Sequence, residues 1–155
     1  MDTLTVVHVI ISLIGIASGF VVMVGLLTRR RLNGWTALFL ASTVATSVTG
    51  FFFPFHQVTP AIIVGIISLF LLAVAILARY SRRLAGAWRW IYVVTAMVAL
   101  YLNFFVLIVQ LFQKVPTLKA FAPTQSEPPF LVTQLCALAL FVVLTILAVI
   151  KFRID

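Results

Sequence analysis

Acidic residues are almost missing from this chain of 155 residues: three, against eleven lysines and arginines, for a formal net charge of +8. A membrane-embedded carboxylate of the kind small multidrug transporters depend on is absent, because Asp2 and Asp155 are terminal and Glu127 lies in a loop. There is one cysteine, Cys136, so no intramolecular disulfide forms and no Cys-x-x-Cys exists for redox or metal work. That excludes quinone-linked disulfide chemistry of the vitamin K epoxide reductase type. Two histidines, His8 and His56, fall short of the four haem ligands of b561-type cytochromes. No Gly-x-Ser is paired with a helix histidine, as rhomboid-type proteolysis requires. Apart from His8 no ionisable side chain lies within an apolar run, which argues against a proton-coupled pump.

What is abundant is apolar. The chain is 64% hydrophobic and 9% charged, more apolar surface than a soluble domain of this length can hide, so a bilayer is the expected solvent. The start does not read as a cleavable leader, since Asp2 stands where a positive n-region belongs, and the first helix is expected to be permanent. A single integral membrane domain spans 1–155, an all-α polytopic membrane protein built as an antiparallel bundle of five transmembrane helices. The spans are expected at about 4–27, 35–53, 61–78, 90–112 and 130–150. Asn33-Gly34 is read as the first turn, and Pro54 and Pro60 bound the second. The outer loop 113–129 holds four of the six prolines. Within it Val115, Leu118, Phe121 and Ala122 recur at helical spacing, read equally as a short helix at headgroup level or as an irregular loop with apolar anchors.

The basic residues sit in short clusters between apolar runs, a topology signal rather than a nucleic-acid patch. Arg29, Arg30, Arg31, Arg79, Arg82, Arg83, Arg89, Lys151 and Arg153 fall on one side of such a bundle; Lys114 and Lys119 fall on the other. The positive-inside rule then puts the N-terminus outside and the C-terminus in the cytoplasm, with a bacterial inner membrane as the expected location.

Three polar faces emerge. On the first helix, at 100° per residue, His8, Ser12, Gly15 and Gly19 fall within about 60° of one another. Gly15-x-x-x-Gly19 is a small-residue spacing that lets helices approach closely, with Gly50 as a further packing glycine. On the second, Thr36, Thr43, Thr46, Ser47 and Gly50 share one arc. On the fourth, Tyr92, Ala96, Ala99, Asn103 and Gln110 share another, and the helix 2 hydroxyls and Gln134 are the expected partners of its amides. The polar content is concentrated in the outer half, which points to a candidate outer pocket formed by His8, Ser12, Ser47, His56, Asn103, Gln110 and Gln134.

No catalytic set is found, and no metal or cofactor is expected. An accessory, assembly or scaffold subunit acting through helix contacts is the leading reading. Its partners are membrane lipids, other membrane subunits or further copies of itself, and not nucleic acid. The alternatives are binding or transport of a small or lipidic molecule in the outer pocket, and a haem- or quinone-linked redox protein with His8 and His56 as ligands.

Overall fold

The computed structural model describes residues 2–53 and 60–153. Six α-helices run α1 (Thr3–Leu27), α2 (Asn33–Gly50), α3 (Pro60–Ile76), α4 (Trp88–Lys114), α5 (Pro116–Phe121) and α6 (Pro128–Lys151). No strand occurs among the described residues. Four helical stretches are long and apolar enough to cross a membrane: Thr3–Leu27, Pro60–Ser81, Trp88–Lys114 and Pro128–Lys151. They mark a multi-pass membrane protein. At about 1.5 Å per residue, α1 is roughly 37 Å long, more than a hydrocarbon core of about 30 Å. α2 is shorter, and its six hydroxyl side chains and Asn33 lower its hydropathy. It lies along α1 throughout, from Gly25 near Leu32 to His8 near Gly50.

α4 is the centre. Its Tyr92, Val93, Ala96, Met97, Ala99 and Leu100 are all buried, in one core with Val22 and Leu26 of α1, Phe39 and Leu40 of α2, Leu72 and Ala75 of α3 and Phe141 and Ala148 of α6. α6 docks by a narrow seam, Phe130, Gln134, Ala137, Phe141, Leu144 and Ala148, whose alternating four- and three-residue spacing keeps one edge facing the bundle. The rest of that helix, from Leu131 and Leu135 to Val142 and Ile146, faces outward.

The chain reverses earlier than Asn33-Gly34. The N–H of Arg30 donates to the carbonyl of Gly25 (2.8 Å) while Arg29 takes a left-handed conformation (φ 62°). This is a Schellman closure of α1 with arginine where glycine is usual. Leu32 is also left-handed (φ 45°), so Asn33 and Gly34 already belong to α2. At its other end α2 stops at Gly50, three residues before Phe53. α3 does not end at Ala78. It continues as a π-helical turn, Leu77–Ser81, with the N–H of Arg82 donating to the carbonyl of Leu77 (2.9 Å). The outer loop contains a helix, α5, begun by Pro116 at its first turn.

Candidate functional site

The glycine face of α1 is packed on both α2 and α4. A Cβ added to Gly19 would stand 2.5 Å from Leu100 Cδ1 and 2.9 Å from Phe39 Cε1. One added to Gly15 would meet Thr43 Oγ1 at 3.1 Å, Ser42 Oγ at 3.3 Å and Asn103 Nδ2 at 3.4 Å. Gly50 faces His8, its added Cβ falling 3.6 Å from the ring carbon Cε1. The three glycines therefore hold α1, α2 and α4 at close range.

His8 is half-buried, one turn into α1, with its ring edge-on to Phe53 (centroids 5.2 Å apart). Its Nδ1 lies 2.8 Å from Thr49 Oγ1. The single Thr49 hydroxyl proton goes to the carbonyl of Ala45 (2.8 Å). With that proton committed, Thr49 accepts from the Nδ1–H of His8. Ser12 donates to the carbonyl of His8 (2.7 Å), inside its own helix.

The hydroxyls of α2 behave the same way. Ser42 donates to Leu38 O, Thr46 to Ser42 O and Thr49 to Ala45 O. Back-bonding of this kind lets a hydroxyl-rich helix satisfy itself without water. Ser47 is half-buried on the same helix.

The amides are not paired as the sequence suggests. Gln134 Nε2 donates to the backbone carbonyl of Phe105 (3.3 Å), not to Gln110, and its Oε1 is buried without a partner. Asn103 reaches the Gly15 contact, yet its Nδ2 and the neighbouring Thr43 Oγ1 are both buried and unbonded. Gln110 lies half-buried two turns along α4 on the face of Asn103. His56 lies outside the described residues, and with it any roof over this region from residues 54–59. Among the described residues no group of three His, Cys, Asp or Glu side chains comes together.

At the opposite end a second polar centre forms around Arg79, which is only 7% exposed. Its Nη2 donates to the Arg31 carbonyl (3.0 Å) and Asn33 Oδ1 (2.7 Å), and its Nη1 to Tyr92 Oη (3.3 Å). Its guanidinium lies 5.3 Å from the Tyr92 ring centroid. Nearby, Arg89 Nη1 donates to the Val149 and Phe152 carbonyls (2.8 and 2.5 Å), capping α6 where its dipole favours a cation. Reading Arg79 as the start of a loop missed this centre. The signal was present, since Ser68, Leu72, Ala75 and Arg79 continue one stripe at helical spacing.

The chain matches no protein-family model, no curated protein and no solved structure.

Proposed function

We propose that this protein is an accessory, assembly or scaffold component of a membrane, acting through helix contacts. The observation carrying that reading is where the polar side chains go. His8 bonds Thr49 across α1 and α2, Gln134 bonds the α4 backbone, and Arg79 ties the α1–α2 turn to α3 and α4. These groups fasten helices to one another. In the same reading α2 is a fifth, short span whose hydroxyls are bonded within its own helix, and the end carrying Arg29–Arg31, Arg79, Arg82, Arg83 and Arg89 faces the cytoplasm. A reporter fused after Asp155 is then active only in the cytoplasm; activity on the other side overturns the orientation.

The function itself is tested by native mass measurement after mild extraction, with an absorption spectrum of the same sample. A stable assembly larger than one chain is expected. A solitary chain defeats the proposal, and a Soret band moves it to the redox class.

A second reading is binding or transport of a small or lipidic molecule in the half of the bundle holding His8, Ser12, Ser47, Asn103, Gln110 and Gln134. It draws on Thr43 Oγ1 and Asn103 Nδ2, two buried polar atoms left open beside Gly15. Asn103→Leu separates the two. Lost function at unchanged stability favours binding; a parallel loss of both favours packing.

A further inference from the structure

The arginine end of α1 carries a groove of about 450 Å³, lined by Val21, Val24, Gly25, Thr28, Arg30 and Leu32. Its floor is built by the Schellman closure. Gly25 has no Cβ, and Leu32 folds into the space, its Cδ1 standing 2.6 Å from where that Cβ would be. From Val21 to Thr28 is seven residues of helix, about 10 Å along the axis. The groove is apolar over that depth and ends at Arg30. The Thr28 hydroxyl donates to the Val24 carbonyl (2.8 Å), and Arg30 is the one charged residue in the lining.

That charge is uncompensated. Arg29, Arg30 and Arg31 are consecutive and exposed, and among the described residues no salt bridge is formed. The whole chain holds three acidic residues, so it cannot neutralise this end from within. Arg29 is left-handed (φ 62°), and the tight closure it makes brings Arg30 into the lining of the groove.

The geometry points to a specific site for one anionic phospholipid. The phosphate sits on Arg30, flanked by Arg29 and Arg31, and the first part of an acyl chain lies in the groove against Val21 and Val24. Apolar lining on the last turns of α1 and arginines in the turn that follows match the two halves of that ligand at the depth where α1 leaves the hydrocarbon. This is independent of the scaffold reading and lies at the opposite end from the His8 region.

The test is native mass spectrometry of the full chain released from nanodiscs of phosphatidylcholine containing phosphatidylglycerol. One phosphatidylglycerol per chain is expected to remain bound, preferred about tenfold over phosphatidylcholine. Arg30→Gln should abolish the preference. Val24→Trp, filling the groove, should lower retention of both lipids, and Lys151→Gln should change nothing. Unfolding temperatures in phosphatidylcholine alone check that each variant is folded. In the unsubstituted chain the preference must also weaken as salt rises. A preference that survives Arg30→Gln, that is lost equally in Lys151→Gln, or that ignores salt overturns the site. Competition by soluble glycerol 3-phosphate would show an anion site without a lipid groove, and overturn it as well.

Discussion

Replacing Gly19 with alanine adds one methyl group where α1 packs closely on α2 and α4. The new Cβ would lie 2.5 Å from Leu100 Cδ1 and 2.9 Å from Phe39 Cε1, where carbon atoms rest at about 3.5–4.0 Å. Both neighbours are 1% exposed and packed into the main core, so neither has free space to turn into. Separating the helices instead would open the Gly15 and Phe39 contacts along the same face. Overpacking of this kind costs about 1–3 kcal/mol. Alanine returns about 0.5–1 kcal/mol by helix propensity, leaving a net loss of up to about 2.5 kcal/mol, toward the upper end because the 2.5 Å approach is severe. For a chain of this size that lowers Tm in detergent by up to roughly 10 °C. Gly34→Ala is the control. Nothing lies within 4 Å of its added Cβ, so only the propensity gain remains and Tm should hold or rise slightly. Combining Gly19→Ala with Leu100→Ala should cost less than the two separate losses together, because the second change makes room for the first. If Gly19→Ala melts at or above the unsubstituted chain, α1 is not packed on Phe39 and Leu100, and the bundle core described above is wrong.

Arg79→Met should remove the charged donor from Arg31 O, Asn33 Oδ1 and Tyr92 Oη together, at a cost of about 3 kcal/mol or more in thermal unfolding. Arg79→Lys should restore little, since an ammonium cannot reproduce the fork; full rescue by lysine would refute the network. Glu127 accepts from the hydroxyl and N–H of Thr124 and the N–H of Ser126, which hold its carboxyl below the usual carboxylate range. A depressed folded-state value means this contribution is complete at neutral pH and fades as pH falls through the carboxylate range to that value. The protection factors of the Thr124 and Ser126 amides, taken against the intrinsic exchange rate at each pH, should therefore fall on acidification, and Glu127→Gln should lose that pH dependence.

Composition and period determined much of this protein before any fold was considered. Apolar runs long enough to cross a bilayer need no tertiary information, because in hydrocarbon each helix satisfies its own backbone. The Gly15–Gly19 face was legible for a similar reason: 100° per residue fixes which side chains share a side, and small residues repeated on one side permit close approach. Other features depended on neighbours distant in sequence. Arg29 and Leu32 in left-handed turns moved the start of α2 back to Asn33, because ordinary turn preferences describe glycine and asparagine, not an arginine held there by Schellman bonding. The π-helical turn drew Arg79 out of an apparent loop and into the core, where acceptors from α2, α4 and the α1–α2 turn wait for it. The α2 hydroxyls were the expected partners of Asn103. The amide reached the right contact, but its Nδ2 meets no acceptor at bonding distance and angle there, and Thr43 Oγ1 stands unbonded beside it. Sequence could place these groups on a face; only packing could decide which of them face each other at bonding distance.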